Sequence, residues 1–192
     1  MRERESVKGF STEGLSVFQS IEKADQSRLV RSSTRRVALA AILIGLAVML
    51  SPIYFPAGDT KCFPAQHMVN ALAGVLLGPW YAVFIAVATG TIRISTGMGT
   101  VFAYPGGVFG GLVVGLAYRY VKKTDYSALL EPFGTVAIGA TLSALVVAPY
   151  LGKTMTLIYF WTAFAASSIP GAILGFIVLK TLRRAGIDRY FD

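Results

Sequence analysis

A chain of 192 residues that is 54% hydrophobic and only 15% charged, with a mean hydropathy of +0.60, is too apolar for a soluble domain of its size. Its apolar residues arrive in long blocks, so it reads as an integral, all-α membrane protein with room for roughly six spans of about 20 residues and for no soluble catalytic domain. The net charge of +8 lies between and outside those blocks, as membrane topology requires, which argues against nucleic acid as a partner.

Residues 1–34 are polar and of mixed charge, without the apolar core of a cleavable signal peptide. They read as a cytoplasmic arm, either disordered or carrying a short surface helix with Leu15, Val17, Phe18 and Ile21 on one face. The membrane domain is expected over residues 35–182, followed by a cytoplasmic tail at 183–192. Its first span runs from Val37 to Phe55, behind Arg35 and Arg36, and weakens at Ser51 and Pro52; Asp59, Lys61 and Cys62 stand at its far end. A short second span, Ala65 to Leu77, turns at Gly78 and Pro79 into a third from Trp80 to Ile94. Residues 95–105, "STGMGTVFAYP", read as a loop or re-entrant segment lining a cavity. The fourth span covers Gly106 to Tyr120. A basic loop with Arg119, Lys122 and Lys123 leads to a fifth from Pro132 to Ala148, and the sixth runs from Thr156 to Leu179.

Lysine and arginine concentrate in the arm, in the loop at 119–123 and in the tail, with Lys180, Arg183, Arg184 and Arg189, which places these segments together in the cytoplasm. Both termini are then inside and the number of spans is even. Only Lys61, Arg93 and Lys153 remain for the outer side, where Lys153 reads best as snorkelling to lipid headgroups. Two ladders of small residues, Gly107–Gly111–Gly115 and Ser167–Gly171–Gly175, suit close helix packing, and Ala38, Ala41 and Gly45 make a similar stripe on the first span. Pro170 should kink the sixth span or free a carbonyl.

The polar residues worth most notice open the second span. Gln66, His67 and Asn70 lie on adjacent turns of one broad helical face, and unpaired in hydrocarbon each would cost several kcal/mol. They therefore face the bundle interior or a pocket open to the outside, with Lys61, Phe63, Arg93 and Tyr104 able to close it. A few directed hydrogen-bond groups between aromatic walls suit a small flat heterocycle. The competing reading is that the three polar groups bind one another and nearby carbonyls as interhelical glue.

Signs of catalysis are scarce. "GKT" at 152–154 resembles the end of a phosphate-binding loop, but the glycine required five positions earlier is Val147. There is no nucleophile elbow, no paired intramembrane carboxylates and no HExxH stretch. Cys62 is the chain's single cysteine and His67 its single histidine. An internal disulfide is thereby impossible and a structural zinc site is not expected; the two residues form the one conceivable nucleophile pair, but five positions apart around a proline they are not placed for mutual contact by helix geometry.

The stretch "KCFPAQHMVNALAGVLLGPWYA" at 61–82, followed by "GMGTVFAYPGG", resembles the ThiW-type membrane proteins, the thiazole-precursor S components of energy-coupling factor (ECF) transporters. The resemblance is dense from Lys61 to Tyr118 and looser over the last two spans. It implies a six-helix component in the cell membrane that captures a vitamin building block outside the cell. Its partners would be a transmembrane coupling protein and two cytoplasmic ATPases, which would use the ATP, so that this chain needs no cofactor. S components meet the coupling protein through an alanine-x-x-x-alanine stripe on the first span; here Ala41 and Gly45 keep the spacing with glycine in second place, and Ala38 lies one turn earlier. On this reading a hydroxyethylthiazole-like precursor binds with Phe63 and Tyr104 against its ring, and with Gln66, His67 and Asn70 bonding its nitrogen and hydroxyl. Lys61 and Arg93 leave room for an anionic ligand. The rivals are a self-standing secondary transporter, for which an acidic residue inside a span is expected and none is found in the predicted spans, and a membrane enzyme using Cys62 or His67.

Overall fold

The computed structural model describes the backbone of residues 2–57 and 60–186, and the side chains of residues 17–23, 33–55 and 61–186. Asp59, Arg189 and the Leu15 side chain lie outside the described residues. The chain forms two units, Met1–Ala38 and Leu39–Asp192. The first is helical from Arg2 onward, as part of α1 (Arg2–Met49), and exposes Val17, Phe18 and Ile21.

In the second unit α1 ends at Met49 instead of reaching Phe55. Phe55–Ala57 (β1) pairs antiparallel with Thr60–Cys62 (β2), in a hairpin the hydropathy pattern does not announce. Next comes α2 (Pro64–Leu77), with proline in the first turn, where its missing N–H costs nothing. Gly78 closes it at φ 87°, a conformation that favours glycine, and Pro79 opens α3 (Pro79–Ser95) at once. After a loop at 96–102, α4 (Ala103–Leu116) begins three residues before the expected boundary and continues through a π turn at Ala117–Val121. The next helical segment, α5 (Asp125–Tyr150), begins seven residues before its expected start. It opens with a 3-10 turn at Asp125–Leu130 and includes π stretches at Phe133–Ala140 and Ser143–Val147. Finally α6 (Leu157–Arg184) is capped by Thr156, whose Oγ1 accepts from the Tyr159 N–H at 3.3 Å, and carries Pro170 inside it.

Among the described residues, α5 and α6 are long and apolar enough to cross a membrane. At 14 and 17 residues, α2 and α3 reach only about 21–26 Å, short of a bilayer core of about 30 Å. Large apolar side chains such as Trp80, Phe84, Leu145 and Ile158 point outward, as a lipid-facing surface would have them.

Glycines let α4 pack closely against its neighbours. A Cβ at Gly107 or Gly111 would meet Ala86 or Ala82 of α3 at 3.3 and 3.1 Å, and one at Gly110 would collide with Glu131 and Thr135 of α5. On α6, a Cβ at Gly171 would strike the Pro64 carbonyl, and one at Gly175 would lie 2.8 Å from the Ala71 Cβ. Both ladders are thus internal packing faces. Ala38, Ala41 and Gly45 are exposed, while Ala40, Leu43 and Ala47, on the other side of α1, are buried.

Candidate ligand-binding cavity

The packing leaves a cavity of about 320 Å³ bounded by β2, the start of α2, the end of α3, the 97–100 loop, the start of α4 and the start of α6. That volume suits a small molecule and sits at the low end of ligand sites. Local chain geometry puts the polar groups there. The Phe63 N–H donates to Ser167 Oγ at 2.8 Å and the Cys62 thiol donates to the Ala163 carbonyl at 3.5 Å, which ties the entry of α2 to α6. One turn into α2, Gln66 and His67 then line the cavity. From the last turn of α3, Arg93 reaches back to lay its guanidinium over the Phe63 ring, 3.9 Å from the centroid, and donates to Gln66 Oε1. Its carbonyl meanwhile accepts from the N–H groups of Met98 and Gly99 at 2.8 and 2.9 Å, holding the loop above the cavity.

Behind His67 lies a buried carboxylate the sequence reading passed over. Glu131 is 0% exposed, and its Oε1 lies 2.7 Å from His67 Nδ1, 3.3 Å from Asn70 Nδ2 and 2.7 Å from Thr135 Oγ1. Thr135 Oγ1 also reaches the Gly106 carbonyl at 3.1 Å, linking the cluster to α4. Among the described residues, Glu131 Oε2 and Arg93 Nε are buried without a partner. An Nδ1–H directed at Glu131 leaves His67 Nε2 as the ring atom able to accept from a ligand.

Of the seven side chains proposed from sequence, Lys61, Phe63, Gln66, His67 and Arg93 line the cavity together. Asn70 does not line it; it is 1% exposed and holds Glu131 beneath the floor. Tyr104 is also displaced. Because α4 already includes residue 104, its ring turns toward Gly90 of α3 and its hydroxyl pairs with Thr91 Oγ1 at 3.0 Å on an exposed face. Phe102, just before the helix, takes the wall instead, with its ring 4.9 Å from Phe160, and Phe160 packs edge-on against Phe164 at 6.0 Å. Lys153, which is exposed, also contributes to the cavity lining, its Nζ 5.9 Å from the Phe102 centroid.

One further expectation changes, and one holds. An acidic residue does lie inside a helix long and apolar enough to cross a membrane, since α5 begins at Asp125 and so includes Glu131. The signal was an acid next to Pro132, which read as a span boundary. Cys62 and His67 do not meet, as their spacing around a proline implies: the thiol is bound to Ala163 and the imidazole to Glu131. Burial also pushes the Cys62 thiol pKa up, away from a reactive thiolate.

Against this geometry, one family model matches residues 37–185, most of the chain, and is described as thiamine-precursor transporter protein (ThiW). No curated protein matches the chain.

Proposed function

The chain belongs to the ThiW family of thiamine-precursor transporter proteins, and from that premise we propose that it is the substrate-capture component of an ECF-type importer. It crosses the membrane six times with both termini in the cytoplasm, and binds a hydroxyethylthiazole-like precursor at its outer face. The observation that supports this best is the cavity, whose lining combines the aromatic rings of Phe102, Phe160 and Phe164 with the amide of Gln66 and the imidazole of His67. A thiazole packs against those rings, while Gln66 and His67 bond its nitrogen and hydroxyl. The 96–102 loop, turning at Gly97 with φ 72°, covers the bound ligand. The stripe Ala38, Ala41 and Gly45 docks on the coupling protein, and ATP hydrolysis in the two partner ATPases drives inward release.

Calorimetry on the purified protein tests the capture reading. We expect a hydroxyethylthiazole compound, free or phosphorylated, to bind more tightly than thiamin. Phe102→Ala and Gln66→Ala should each weaken it by about tenfold or more, the loss of one aromatic wall or one buried hydrogen bond. No binding of any thiazole compound would overturn the ligand assignment.

Glu131 favours a second reading, a self-standing transporter that couples uptake to an ion through a buried acid. Precursor accumulation in vesicles that lack the coupling module would establish it. Transport only with the module present would dismiss it.

A further inference from the structure

Charge around the cavity is one-sided. Its lining includes Lys61, Arg93 and Lys153, and no carboxylate. The two lysines are exposed, but Arg93 is 1% exposed. Its described side-chain partners, the Gln66 amide and the Phe63 ring, are both uncharged, and its Nε has none. The buried carboxylate of Glu131 is taken up by His67, Asn70 and Thr135, and among the described residues Arg93 forms no ion pair. A guanidinium does not shed its proton, and burying one without a counter-ion costs several kcal/mol. Holding the 97–100 loop does not explain that cost, because the bonds to Met98 and Gly99 come from the backbone carbonyl, which any residue at this position would offer. The guanidinium itself is therefore kept for something in the cavity.

Resting on the capture reading above, we propose that the ligand enters as an anion, a small heteroaromatic ring bearing a phosphate monoester whose oxygens pair with Arg93 between Lys61 and Lys153. Three cations suit a group carrying about −1.5 to −2 at neutral pH better than a singly charged carboxylate. Arginine's planar fork meets phosphate oxygens two at a time, and the lysines at the rim supply point charges that draw the anion in. Phe102 and Phe160, whose rings pack 4.9 Å apart, border the cavity beside these cations and offer the ring its apolar wall.

The test uses matched pairs on the purified full-length protein in nanodiscs: hydroxyethylthiazole and its phosphate monoester, and hydroxymethylpyrimidine and its phosphate monoester. Calorimetry should show an ester bound about tenfold or more tighter than its own alcohol, with the ratio shrinking as salt rises. Arg93→Gln should bring that ratio close to one. Because Arg93 is buried and its replacement could disturb the fold, a Lys61→Gln/Lys153→Gln double variant at the exposed rim gives a second readout, in which the ratio falls several-fold. An alcohol that binds as tightly as its ester overturns the proposal and leaves the capture reading intact. A pyrimidine ester preferred over both thiazoles upholds the anion and removes the thiazole. Failure of all four compounds to bind overturns both.

Discussion

Cys62 and Glu131 show how burial decides what a reactive-looking residue does. The thiol is 1% exposed and donates to a carbonyl of α6, and its pKa is raised by burial. Its ionisation in the unfolded chain therefore precedes its ionisation in the folded one. The unfolded state then binds fewer protons, so stability is undiminished below the ordinary thiol value of about 8.5 and falls as pH rises toward the folded value. We expect maleimide to label folded protein at neutral pH about tenfold or more slowly than SDS-unfolded protein. We also expect Cys62→Ala to flatten the decline in melting temperature on the alkaline side. Fast labelling of the folded protein would contradict the burial argument. For Glu131 the same logic runs through partners: three donors converge on Oε1, so the acid is held by the fold, with His67 connecting it to the cavity.

Among the elements, α4 carries the sharpest packing constraint. A Cβ at Gly115 would lie 2.5 Å from the Pro79 backbone N and Cα and 2.9 Å from the Gly78 carbonyl carbon, atoms that cannot rotate away. A Cβ at Gly45 on α1 meets nothing within 4 Å. Gly115→Ala should therefore cost about 1–3 kcal/mol, lowering the melting temperature by about 3–10 °C, whereas Gly45→Ala should hold it or raise it slightly through better helix propensity. Thermal unfolding in detergent measures both, and equal melting temperatures would refute the backbone collision. Much of this architecture was legible in sequence. The Gly78–Pro79 turn lies where its residues announce it, α2 and α3 match to within a residue or two, and the glycine ladders are packing faces. The start of α4 was not legible, because Pro105 and its glycines look like helix breakers; the proline sits in the first helical turn and the glycines admit neighbouring helices. The start of α5 was hidden by Asp125 and Glu131. Their partners, Arg183 at 2.5 Å and His67 at 2.7 Å, are distant in sequence, so no local window can see that these charges are paired. Within the site, Gln66, His67 and Asn70 were readable as one face from helical spacing, although Asn70 stands behind the cavity rather than in its lining. The aromatic wall was not, since Phe102 and Phe160 meet only once α4 and α6 are packed.

At the scale of the whole molecule, the two readings of transport differ in what α1 is for. Within the second unit, Ala41 and Gly45 are exposed and small, whereas Ala40, Leu43 and Ala47 bury the opposite side of the same helix. Large residues at Ala41 or Gly45 would thus fill space outside the fold, and neither position lines the cavity. If the chain delivers its ligand only when docked on a coupling protein, Gly45→Trp should leave ligand affinity within about twofold and the melting temperature within about 2 °C of the parent. It should nevertheless abolish ATP-dependent uptake in cells that supply the coupling protein and ATPases, because a bulky ring holds apart backbones that must approach closely. A self-standing transporter working through Glu131 would instead keep its uptake in Gly45→Trp. Measuring binding, melting and uptake on this one variant therefore separates a capture component from a complete carrier, and retained uptake beside retained binding would remove the docking role assigned to α1.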